Sequence, residues 1–225
     1  MLSKKLVASI AGLSLLVGVS TGVYAGANLQ EIKAYLNGDL KVRVNGTVAQ
    51  LNDEQGSAIL PITYDGTTYL PVRAVANALN VAVDYDSANQ EVILGEKVNG
   101  TPLNAEKFDN YTYTKDPAQT TYNNKNYKEA YYYHEGSGGP TMIITPGKKY
   151  QTLHLKIAAI DKDLTDIKIK DLDNNVLLKD VGTLSPKDGL KEIVVDIGNV
   201  KTVTISMQVK DGGGYFVPLI DSYYK

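Results

Sequence analysis

Three observations predict a mainly β protein, with a small α+β domain of β-hairpins and one short helix followed by an antiparallel, jelly-roll-like β-sandwich. First, Asn45-Gly46 and Asp65-Gly66 each separate short runs of β-forming residues, and such dipeptides accept the two positive φ angles of a type I′ hairpin turn. Second, apolar residues alternate strictly later in the chain: Leu153, Leu155, Ile157; Ile167, Ile169; Ile193, Val195, Ile197; and Val203, Ile205, Met207, Val209. A period of two marks antiparallel strands with one buried and one wet face. Third, the texture changes near residue 98, where hairpin-and-helix patterning gives way to a Tyr-, Asn- and Thr-rich stretch.

Residues 1–25 read as a secretory signal. Lys4 and Lys5 precede the apolar run Leu6 to Val19, and Val23 and Ala25 supply the small residues of a cleavage site. A second site at Ala25-Gly26-Ala27 would leave Asn28 first. The run is nearly long enough to span a bilayer, but it is short and glycine-rich, so the expectation is cleavage. The product is then secreted, extracellular or cell-wall associated, with no membrane contact after cleavage. No cysteine follows the run to carry a lipid.

Residues 28–96 form the first domain. In "KVRVNGTVAQL", Val42 and Val44 precede the turn and Val48 follows it, and "ILPITYDGTTYLP" repeats the device. Pro71 suits the first turn of a helix, where its missing N–H costs nothing. Val72, Val75, Ala76 and Leu79 then recur on one predicted helical face, and Asn80 suits a left-handed cap. "VAVDYD" and "EVILG" alternate as strands around the turn Ser87 to Gln90. Arg73 is expected to satisfy strand carbonyls.

The spacing of "VNGT", "GTTYLPVRAVA", "VDYD" and "EVILG" resembles the copper amine oxidase N-terminal-like, or stalk, domain of exported Firmicutes proteins. The resemblance implies an accessory domain and not the copper enzyme. Its quinone needs Asn-Tyr followed by an acid, whereas Asn110-Tyr111 precedes Thr112 and Asn126-Tyr127 precedes Lys128. Its copper takes more imidazoles than His134 and His154 can supply.

Residues 97–103 are expected to link this domain to a second at 104–225. The tyrosine-rich stretch is read as that domain's opening strands and loops, since linkers are poor in aromatics. "KYQTLHLKIAAIDKD", "IKIKDLDNNVLLKDVGTL", "KEIVVDIGNVKTVTISM" and "DGGGYFVPLIDSYY" look like the carbohydrate-binding NPCBM-like group with its galactose-binding-type sandwich. Such modules often stack sugars on Trp, and this chain has none.

Composition narrows the function. A net charge of −2 with no long basic run gives no case for nucleic acid. Zero cysteines remove disulfides, thiol chemistry and cysteine metal sites together. Asp161, Asp163, Asp166, Asp171 and Asp173 crowd one region but sit at expected turns and strand ends, so they read as solvated turn residues before they read as a glycosidase pair. "EGSGG" places Glu135 where a nucleophile elbow needs glycine. Asp171-x-Asp173-x-Asn175 opens like a calcium loop, but Val176 and Gly182 occupy the positions that want Gly and Glu. A different oxygen-ligand site at a sandwich edge stays open. Gly212-Gly213-Gly214 lacks dinucleotide-loop spacing.

The tyrosines are the suggestive set, sixteen against two Phe. A phenol offers an apolar face and a polar tip, which suits sugars or a protein partner. In "YYYH", Tyr131 and Tyr133 share one strand face and Tyr132 and His134 the other. Tyr132, His134 and Tyr215 are therefore the candidate ligand-binding residues, with no catalytic residue, metal ligand or cofactor assigned. The expectation is an exported, non-enzymatic protein that binds a cell-wall or extracellular polysaccharide, its first domain serving as scaffold. A protein–protein adhesion module and a secreted hydrolase are the alternatives. Mass spectrometry of the exported protein should find Gly26 or Asn28 as the first residue; intact Met1 in a membrane fraction would overturn the cleavage expectation.

Overall fold

The computed structural model describes residues 30–97, 99–108 and 111–225, apart from the side chains of 135–137. The expected leader lies outside the described residues.

The first part comprises β1 (Tyr35–Leu36), β2 (Val42–Val44), β3 (Thr47–Ala49), β4 (Ile62–Tyr64), β5 (Thr67–Tyr69), α1 (Val72–Ala78), β6 (Val83–Asp86) and β7 (Glu91–Leu94). The two predicted turns adopt the expected backbone: φ is 48° and 83° at Asn45 and Gly46, and 46° and 72° at Asp65 and Gly66. They close the antiparallel β2–β3 and β4–β5 hairpins, and β1 adds to β4. Asn80 is left-handed, with φ 55°.

The face of α1 agrees with the expectation at Ala76 and differs at its two ends. Ala74 and Ala76 are the buried residues, while Val72 and Leu79 are 43% and 48% exposed. Apolar periodicity identifies a face, but burial also needs a surface opposite it. This seven-residue helix meets β6 most closely and has little else to lie on. Arg73 behaves as read, donating from Nη1 to the Val83 carbonyl at 3.4 Å.

The rest comprises β8 (Thr101–Pro102), β9 (Tyr113–Thr114), α2 (Pro117–Thr120), β10 (Thr121–Tyr122), β11 (Lys125–Asn126), β12 (Ala130–Gly138), β13 (Thr141–Ile144), β14 (Thr152–Ile160), β15 (Leu164–Asp171), β16 (Val176–Leu184), β17 (Lys191–Asp196), β18 (Val203–Pro218) and β19 (Tyr223–Tyr224). The tyrosine-rich stretch thus supplies β9 to β12. All but β10 and β11 join one ten-stranded antiparallel sheet. The chain is mainly β.

That sheet folds over because its long strands change partners along their length. β14 pairs through Thr152–Ile157 with β17, and through Ala158–Ile160 with β18. β18 pairs first with β13 and β15, then with β12 and β14. The inward residues form one core. Every alternating apolar residue picked out above is at most 5% exposed. Full burial of each such side chain is worth about 1.5–3 kcal/mol. Thr101–Pro102, within the 97–103 segment, pairs with β19, and Leu103 is wholly buried.

Gln151 fastens the first part to this core. Its Oε1 accepts from Ala82 N at 3.0 Å, and its Nε2 donates to Asp196 Oδ1 at 2.7 Å and the Asn80 carbonyl at 3.4 Å. Val83 N donates to the Lys148 carbonyl, and Asn199 Nδ2 to that of Asn77, both at 3.3 Å. Gly198 is required here: a Cβ would overlap the Asn80 carbonyl and the Gln151 amide.

Gln151→Ala should leave the Ala82 N–H without its acceptor, a loss of about 1–3 kcal/mol, seen as faster amide exchange confined to residues near Ala82. Ile205→Ala should instead lower the melting of the whole sandwich by about 2–5 kcal/mol. Uniform acceleration in the Gln151 variant would refute the separate role.

Candidate functional site

Strand register decides which candidates meet. Tyr132 lies opposite Phe216, which lies opposite Ala158; His134 lies opposite Gly214, which lies opposite Ile160. These two rows share the outer face of the sheet. Tyr133 pairs with Tyr215, which pairs with Ala159, on the core face. Tyr132 and His134 therefore stand together, with ring centroids 6.1 Å apart.

Tyr215 does not join them. It is 1% exposed, stacks on Tyr133 at 5.9 Å and belongs to the main core. Burial pushes its phenol up to about 12, against a lowering hydrogen bond with Thr112. A residue on a neighbouring strand shares a face only if the register makes it so, and here Tyr215 faces inward opposite Tyr133.

Residues not singled out in the sequence complete the outer face. Tyr122 stacks on Phe216 with centroids 5.3 Å apart and planes 10° apart, and Tyr127 meets the same ring edge-on at 5.4 Å. The β10–β11 hairpin brings them there. Asn123 and Asn124 turn it with φ of 49° and 63°, the backbone that Asn-Gly adopts in the first part, so its signal was readable. Lys125 Nζ sits 4.3 Å over the Tyr127 ring and 2.9 Å from Asp221 Oδ2. Ile160 and Leu190 pack on the same cluster.

Gly214 permits the close approach of β12, because a Cβ there would meet the Tyr133 carbonyl and His134 Cα. It leaves a low floor between His134 and Ile160. His134 Nε2 lies 2.6 Å from Asp161 Oδ2, which fixes the ring at the edge of that floor. The His134 side chain is 25% exposed and that of Asp161 62%. The face thus offers partly exposed aromatic surface beside a histidine and a carboxylate.

Elsewhere, His154 Nδ1 is 2.9 Å from Glu192 Oε1, and its ring stacks on Tyr223. Asp166 pairs with Lys168 at 2.6 Å. Asp171 Oδ1 accepts from the amides of Asp173 and Asn174, and Asn175 has φ 53°, so this segment is a hairpin turn. Among the described residues, no group of three or more His, Asp or Glu is placed to hold a metal.

Residues 25–94 match the family model described as the copper amine oxidase N-terminal domain, and a second match to it covers residues 44–127. The first part thus resembles a copper amine oxidase N-terminal domain; the second match runs on through β8 to β11 and stops before β12, so most of the ten-stranded sheet lies outside it. No curated protein and no solved structure matches the chain.

Tyr215→Ala should lower stability by about 3–5 kcal/mol, as for other large buried rings, and Tyr132→Ala by about 1 kcal/mol. In a spectrophotometric titration, Tyr215 should remain protonated past pH 10, where a free phenol ionises. Equal melting losses in the two variants would contradict the assigned faces.

Proposed function

We propose that this is an exported, non-catalytic protein of the cell surface or wall that binds a polysaccharide through its sandwich, with the copper amine oxidase N-terminal-like domain as scaffold. The carrying observation is the outer face on which Tyr132 and His134 stand beside Tyr122 and Tyr127. Sugar rings present C–H surfaces that pack on aromatic side chains, while their hydroxyls need donors and acceptors close by. Phenol tips, the His134 imidazole and the Asp161 carboxylate supply those along one edge. Without tryptophan, the contact area comes from several smaller rings.

Several of the charged groups around the sheet are already paired. The two histidines are each held by a carboxylate, His134 by Asp161 and His154 by Glu192. Asp166 and Asp171 are engaged by a lysine and by turn amides.

Titration calorimetry with neutral wall-type oligosaccharides tests the proposal. Tyr132→Ala and His134→Ala should each weaken binding by about 1–2 kcal/mol, the scale of a modest aromatic hot spot, with no sugar released. Unchanged affinity in both variants would remove this face from the binding surface. Turnover abolished by a single carboxylate change would make the protein a hydrolase, and capture of a protein partner indifferent to sugars would make it an adhesion module.

A further inference from the structure

A second site lies away from the aromatic face. A cleft of about 380 Å³ opens between the first domain and the sandwich. Arg73 and Asn77 of α1 and the loop Asp53 to Gln55 line one wall; Gly147, Lys148 and Lys201 line the other. Clefts between domains are common ligand sites, and the hydrogen bonds from Val83 to Lys148 and from Asn199 to Asn77 hold this one's walls at a fixed spacing.

We propose that this cleft binds an oxyanion, a carboxylate or a phosphodiester, which on the cell-surface function proposed above is carried on a wall polymer. Three cationic side chains, Arg73, Lys148 and Lys201, line it against two carboxylates, Asp53 and Glu54, in a protein whose net charge is −2. The acids present are largely engaged. Asp53 Oδ1 accepts from the amides of Gln55 at 2.9 Å and Ser57 at 2.7 Å, and Glu54 Oε1 lies 3.7 Å from Arg73 Nε. Lys148 and Lys201, like most of the lysines, have no ion-pair partner among the described residues.

The two lysines are presented together by the backbone. Gly147 N donates to the Lys201 carbonyl at 3.1 Å, and Lys148 N to that of Val200 at 2.9 Å. Lys148 has φ 64°, a left-handed conformation uncommon for a residue with a side chain. With Arg73 paired to Glu54, the two ammonium groups of Lys148 and Lys201 are the donors left for an oxyanion, which accepts charge-assisted hydrogen bonds from them. Amide groups of Gln55 and Asn77 line the same space for neighbouring hydroxyls.

The test uses the full chain with three probes: an oligogalacturonate, a poly(glycerol phosphate) and a neutral glucan oligosaccharide. Lys148→Gln combined with Lys201→Gln should weaken binding of at least one polyanion tenfold or more. The charge-matched pair Lys187→Gln and Lys191→Gln should change it less than twofold. The polyanion that responds identifies the carboxylate or the phosphodiester as the source. Affinity should fall as salt rises, and Tyr132→Ala should leave it unchanged. Equal losses in the two lysine pairs, or no polyanion binding at millimolar concentration, would overturn the proposal. Loss of neutral glucan binding alone would fall on the aromatic face instead.

Discussion

Strand β18 is the constraint on which the sandwich depends. Its sixteen residues exchange hydrogen bonds with β12, β13, β14 and β15. Its first half places Val203, Ile205, Met207 and Val209 in the core. Its second half carries Tyr215 and Val217 inward and Phe216 outward. Between the halves, Gly213 faces Gly136 where the β12 register shifts. One strand thereby sets both the core and the outer aromatic face. The Tyr132 and His134 pair exists as a surface because β18 puts Phe216 and Gly214 opposite it.

The strands of the sandwich were legible because alternation is a local property of the chain, and a buried face leaves its period in the sequence. The hairpin turns were legible for the same reason, since positive φ selects Asn, Asp and Gly locally. What was not legible depended on register. Parity within "YYYH" separates Tyr131 and Tyr133 from Tyr132 and His134, but it says nothing about Tyr215, which reaches its partner across eighty residues. The α1 face failed at its two ends for a related reason: Val72 and Leu79 are periodic, yet no second layer lies over them. Lys148 and Lys201 lie far apart in sequence and meet through backbone hydrogen bonds between two turns.

The two parts differ in how their apolar residues are used. Among the described residues, those at 30–97 bury only Leu51, Pro61, Ala74, Ala76, Ala82 and Val83, three of them alanines. Leu36, Ile62 and Tyr69 form a cross-strand row on the β1–β4–β5 sheet and are 69%, 40% and 52% exposed. Such a core contributes little cohesion by itself. Its order relies on hairpin turns and on attachment to the sandwich, which gives the Gln151 side chain more consequence than its size suggests.

The pairing of β8 with β19 has a mechanical meaning. The chain leaves the first domain, enters the sandwich as Thr101–Pro102, and lies antiparallel beside Tyr223–Tyr224. A pull between the first domain and Lys225 would therefore load these two short strands from adjacent ends. In that geometry hydrogen bonds open one after another, as in a zipper, instead of sharing the load as they do in shear. The Lys225 carbonyl accepts from both Gln151 and Thr152, and Lys225 N donates back to the Thr152 carbonyl. Lys225 is thus tied to the same segment that holds the first part, so tension reaching it would pass into Gln151 and Thr152.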